Sequence, residues 1–194
     1  AAAVAAAFVP GTTIEAVINA VLSLAKDGTA KAIADIADVA RRQKLAGADY
    51  QTLVAAFHAA MAPYSPMGDD VNHTPDKAGR LTGAYQPNRL GAVEELPLAL
   101  GFCLFNNGHF RRSIEDGINS GRDTDSIGVM AGAILGAMHG ENVIDAADRL
   151  QIDTINRLDL NAAADAFTET VRIIHAADQS VSDARARDRA VLSV

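Results

Sequence analysis

Apolar residues recur at helical spacing through the first third of the chain. Ile14, Val17, Ile18, Val21 and Leu22 fall on one helix face. Thr12-x-x-Glu15 reads as a capping box at its start, and Asp27-Gly28 as its stop. A second helix carries Ile33, Ile36, Ala37 and Ala40 and closes near Gly47. Its Arg41-Arg42-Gln43-Lys44 run reads as a solvated face near a helix C-terminus, where cations are favoured. A third holds Tyr50, Leu53, Val54, Phe57 and Met61 and stops before Pro63. His58, beside that stripe, reads as a hydrogen-bonded or surface histidine. Ahead of these, Ala1 to Val9 is apolar but short, lacks a basic flank and ends at Pro10-Gly11. It is not a signal peptide by pattern, and reads as the second half of a helix.

From Pro63 to Leu90 the periodicity stops. Pro63, Pro66, Gly68, Pro75, Gly79, Gly83 and Pro87 punctuate a stretch that also holds Asp69, Asp70, His73, Asp76 and Arg80. So long an irregular segment is either a solvated loop or a rim that contributes polar contacts to a ligand. Helix resumes at Glu94, with Pro97 in its first turn. Leu96 to Phe105 is apolar nearly all round, which predicts a central helix ended by Asn106-Asn107-Gly108. Phe110, Ile114 and Ile118 mark a short helix, followed by a small-residue helix to Gly140. Further helices are predicted around Val143–Leu150 and Ala162–Ala176, with a tail from Asp178 that is either a last helix or a frayed end. No internal repeat, sustained strand pattern, or Rossmann or Walker glycine motif appears.

Composition fits an all-α protein. The 194 residues suit one domain, alanine is abundant and tryptophan is absent. A net charge of −7 argues against nucleic acid and anionic membranes as partners. The single Cys103 lies in an apolar run, so it reads as a buried, inert thiol that suits a reducing cytoplasm.

The candidate chemistry sits at Ser120-Gly121-Arg122-Asp123-Thr124-Asp125-Ser126. Gly121 lets the chain turn, and Asp123, Asp125 and Ser126 can converge as hard oxygen donors at a helix start. Capping of that helix by one aspartate is the competing reading, and on spacing alone the two stand level. A calcium loop starting at Asp123 fails, because Ile127 and Ile134 would occupy ligand places. A phosphatase-type D-x-D needs a preceding apolar strand, which Gly117 to Gly121 is not. Gly128, Gly132, Gly136 and Gly140 recur every four residues and predict a groove for close approach of another helix backbone. The run is shorter than the roughly 20 residues a membrane span needs.

Asn119 to Ser126, with Ala131-Gly132-Ala133-Ile134-Leu135-Gly136-Ala137 and Gly140, resembles the C-terminal signature of the ADP-ribosylglycohydrolases: G-G-D-T-D-T and an Ala/Gly-rich helix. Glu94-Glu95-Leu96-Pro97-Leu98-Ala99-Leu100 resembles the family's E-x-L-P-x-A-L helix start. The likeness is continuous from about Gly91 to Gly140 and weaker from Ala1 to Met61. It implies an all-helical orthogonal bundle and two divalent cations, magnesium or manganese. It also implies hydrolysis of a glycosidic bond between ADP-ribose and a protein or small-molecule acceptor. By motif match, Asp123, Asp125 and Ser126 would be metal ligands, with serine in place of the usual threonine. Arg122 replaces a family glycine and, with Gly121, would meet the substrate. Glu94 matches the helix-start glutamate.

The family's G-D-x-x-G and T-D-D-T segments are not found, and Asp69-Asp70 does not stand in for them. The expectation is therefore a C-terminal portion of the family fold. Catalytic residues would lie in an N-terminal segment, supplied by a separate polypeptide in one version. The alternative is a non-catalytic structural or ligand-binding relative; a type of lens crystallin also resembles this family.

Overall fold

The computed structural model describes residues 1–64, 92–121 and 123–192. Most of the Pro/Gly-punctuated stretch, and Arg122, lie outside the described residues. Every described helix or turn agrees with an all-α fold, and no strand occurs among the described residues. The chain forms two units, Ala1–Ile144 and Asp145–Val194.

The first unit contains α1 (Ala2–Ala7), α2 (Ile14–Leu24), α3 (Asp27–Leu45), α4 (Tyr50–Met61), α5 (Ala92–Phe105), α6 (Phe110–Ile118) and α7 (Thr124–His139). A 3-10 turn at Glu141–Val143 follows. The predicted apolar faces of α2, α3 and α4 are the buried ones: Val17, Ile18, Ile33, Ile36, Leu53 and Phe57 are all inaccessible or nearly so. α5 is central, as its uniform apolarity predicts, and packs on α3, α6 and α7.

Three boundary expectations are corrected. Thr13, not Thr12, caps α2, its hydroxyl accepting from Ala16 N–H at 3.2 Å. Glu15 is thereby released from a capping box and pairs with Arg41 of α3 at 2.7 Å. That bond holds the Glu15 carboxyl below its usual range. Arg41 also reaches Asp38 at 2.8 Å, so it joins α2 to α3 rather than merely facing solvent. Asp27-Gly28 does not stop α2. Ala25 and Lys26 are already extended, and Asp27, at φ +49°, opens α3. Pro97 lies inside α5, which begins at Ala92, so its missing N–H removes the helical bond to the Val93 carbonyl.

Among the described glycines the tightest surroundings are at Gly101, between α3, α4 and α5. A Cβ at Gly101 would stand 2.5 Å from Ile36 Cγ2 and 2.9 Å from Phe57 Cζ. Phe57 meets Phe102 edge-on, with centroids 5.0 Å apart and planes at 83°. The glycine face of α7 receives side chains, not a second backbone. A Cβ at Gly128 would lie 3.0 Å from Ile118 and one at Gly132 3.6 Å from Ile114, while one at Gly136 would meet nothing within 4 Å.

Cys103 is fully buried in α5, and burial pushes its thiol up to about 12. A maleimide should therefore leave the native protein unlabelled for hours and label it within minutes in denaturing urea. Fast labelling without denaturant would contradict this core position.

The second unit holds α8 (Ala146–Asn156) and α9 (Leu160–Leu192). Arg157, at φ +54°, ends α8, and Asp159 Oδ1 accepts from Ala162 N–H at 2.9 Å where α9 begins. The tail from Asp178 continues α9 as helix to Leu192.

Candidate functional site

The site is built where α6 hands over to α7. α6 ends at Ile118, and Ser120 is buried with its hydroxyl donating to the Gly117 carbonyl at 2.7 Å. Gly121, at φ +82°, takes the left-handed conformation that reverses the chain. Two residues later Asp123 reaches the N-cap position of α7, and Asp125 stands in the first turn.

Asp123 makes no side-chain capping bond. Its carboxyl hydrogen-bonds instead with Glu95 of α5, with Asp125 and with the Ser126 hydroxyl. Burial and then the Asp125 carboxylate push Asp123 upward. Glu95 is pushed up to about 7, first by burial and then by the hydrogen bond and charge of Asp123. Glu94 and Asp125 add smaller repulsions. Asp125, at the exposed end, is held low, chiefly by the hydrogen bond from Asp123. The result is a row of three carboxyl groups linked by hydrogen bonds, Glu95 to Asp123 and Asp123 to Asp125. Crowded carboxylates of this kind are relieved either by protons or by a hard cation.

Of the residues singled out from sequence, Asp123, Asp125 and Ser126 come together. Gly121 is an exposed turn residue beside them. Arg122 lies outside the described residues. Glu94 is buried at 3% exposure, and it is its neighbour Glu95 that meets Asp123. The sequence motif matches Glu94 to the helix-start glutamate and gives Glu95 no place of its own. The available signal was that α5 is apolar all round, so a carboxylate in its first turn has few places to go except a polar site. Among the described residues no group of three or more His, Cys, Asp or Glu is disposed to hold a metal ion. No described helix is long and apolar enough to cross a membrane.

A family described as ADP-ribosylglycohydrolase matches residues 1–179. The chain belongs to the ADP-ribosylglycohydrolase family. The match covers nearly the whole chain, so the expected restriction to a C-terminal portion is not borne out. Among curated proteins the chain is similar to an uncharacterized protein of Escherichia coli (strain K12), YegU, at 39% identity over 77 residues. That stretch is 40% of this chain and 23% of the relative, so the chain spans about a quarter of the length of the curated relative it matches. No solved structure matches the chain. The all-helical architecture is the family's, the family's chemistry is hydrolysis of ADP-ribose linkages, and the family generally uses divalent metal ions.

Proposed function

We propose that this protein is a metal-dependent hydrolase that cleaves the glycosidic bond between ADP-ribose and a protein or small-molecule acceptor. One observation carries the reading: Asp123 occupies a helix N-cap position without capping and joins Glu95, Asp125 and Ser126 in an oxygen-only row. Such donors suit magnesium or manganese and do not suit softer ions. Asp123, Asp125 and Ser126 would hold the cations. Bound divalent ions supply two things, a lowered pKa for water and orientation of ribose hydroxyls. The rigid α7 behind the turn fixes the direction in which the two aspartates point. Gly121 permits close backbone approach to the substrate, and Arg122 is assigned to its diphosphate as a cation beside an anion. Substrates are an ADP-ribosylated protein or a small ADP-ribose conjugate, met in the cytoplasm. Neither nucleic acid nor membrane is a partner.

A second reading, a non-catalytic ligand-binding relative, is favoured by one observation: no described group of three acidic or histidine residues is disposed to hold a metal.

The two separate in one experiment. ADP-ribosyl-arginine peptide, ADP-ribosyl-serine peptide and O-acetyl-ADP-ribose are each incubated with the protein in magnesium, manganese or EDTA, and free ADP-ribose is quantified. Release with a metal and none with EDTA is expected for at least one substrate. No release from any of them with either ion would leave the non-catalytic reading standing.

A further inference from the structure

The last turn of a helix leaves carbonyls without helical partners. In α6 three consecutive carbonyls of that turn accept side-chain donors, two of them, Glu115 O and Gly117 O, in addition to the backbone N–H of Asn119 and Ser120. Asn119 Nδ2 donates to Glu115 O at 2.8 Å, Tyr50 Oη of α4 donates to Asp116 O at 3.0 Å, and Ser120 Oγ donates to Gly117 O at 2.7 Å. Asn106, just after α5, adds a bond from its Nδ2 to Asp116 Oδ2 at 2.7 Å. Helix α4 and the turn that follows α5 therefore both hold its exit.

The other side of the turn is held as well. A Cβ at Gly117 would lie 2.9 Å from Ile127 Cγ2, so α7 begins directly against the last turn of α6. The chain from 117 to 127 leaves that place and returns to it. Ser120 is the pin inside the excursion. Exposed serines often bond a preceding carbonyl with little consequence. Ser120 differs because it is 3% exposed, so water does not compete for its hydroxyl, and its N–H at 3.2 Å and its Oγ at 2.7 Å both bind the one Gly117 carbonyl. Asp123 follows three residues later, with Gly121 turning the chain between them.

We infer that Ser120, with Tyr50 holding Asp116, is a positioning residue: its buried hydroxyl sets the direction in which the chain leaves α6 and so places Asp123 and Asp125. It touches neither substrate nor cation in this role. The inference rests on the metal-dependent reading above for its consequence, though its geometry does not.

Ser120→Ala and Tyr50→Phe test it, with Tyr64→Phe as control. Tyr64 bonds Asp35 at 2.5 Å, just past the far end of α4, away from the turn. Two quantities are read on the same samples: amide hydrogen exchange over residues 121–128, and Mn2+ affinity by electron paramagnetic resonance. Ser120→Ala and Tyr50→Phe should each speed exchange there about fivefold. Mn2+ binding should weaken about tenfold, the order seen when groups behind a ligand are removed. Tyr64→Phe should leave both at wild-type values. Wild-type exchange in Ser120→Ala, or equal acceleration in Tyr64→Phe, overturns the inference. So does unchanged Mn2+ affinity in Ser120→Ala when the wild type binds the ion. Should Ser120→Ala not fold, Tyr50→Phe decides by the same criteria. A wild type that binds no Mn2+ but whose turn loosens in both variants defeats the metal reading and leaves the positioning role intact.

Discussion

Truncating Phe57 to alanine is expected to destabilise the first helical unit by about 3–5 kcal/mol, the usual cost of emptying a large aromatic site. The site is closed on every side. Phe57 has no accessible surface, stacks edge-on with Phe102, and lies against the notch left by Gly101. Gly101→Ala alone should cost about 1–3 kcal/mol, because its Cβ must displace Ile36 and Phe57. Together the two changes should cost less than their sum, since the alanine methyl enters space the phenyl ring has left. Relief will be partial, because the Ile36 contact remains. Urea titration of wild type, both singles and the double measures the coupling. Strict additivity would show that the ring and the notch do not meet.

The second large effect concerns Asp123→Asn. This change keeps the size of the side chain, replaces one acceptor oxygen by a donating NH2 and removes the charge. Mn2+ affinity and metal-dependent release of ADP-ribose should both fall at least about 100-fold, beyond the loss seen on removing a group behind a ligand. Stability should stay within about 0.5 kcal/mol, because Asp123 carries no capping bond whose loss would weaken α7. A variant that binds Mn2+ as the wild type does would remove Asp123 from the metal set. A variant that loses more than 1 kcal/mol would restore to the aspartate the structural role of a cap.

Much of the helical scaffold is legible in the chain because burial and period coincide. Val17, Ile18, Ile33, Ile36, Leu53 and Phe57 can be picked out by spacing alone, and all are core. What spacing misses is how residues compete locally. Thr12 and Thr13 are equally good capping residues, and only the placement of Ala16 N–H chooses Thr13. Asp27-Gly28 carries a turn signal, yet the break falls two residues earlier at Ala25 and Lys26. The glycine period of α7 reads as a backbone groove, whereas the isoleucines of α6 use it. At the site the motif singles out Asp123, Asp125 and Ser126. Glu95 is found only in three dimensions, because it comes from a helix whose contact with α7 the sequence does not state.

The meeting of α3 and α5 at Gly101 has a kinetic consequence. The two helices are remote in the chain, with α4 and residues 62–91 between them. Contacts of such long sequence separation require a loop to be closed before they reward the chain, and they slow folding. α2, α3 and α4 can form locally while the Gly101 notch is still empty. The rate at which this unit folds is then expected to follow the arrival of α5, so substitutions that strengthen α2, α3 or α4 will hasten folding more than they slow unfolding, and changes at the Gly101 contacts, which form after α5 docks, will act mainly on unfolding.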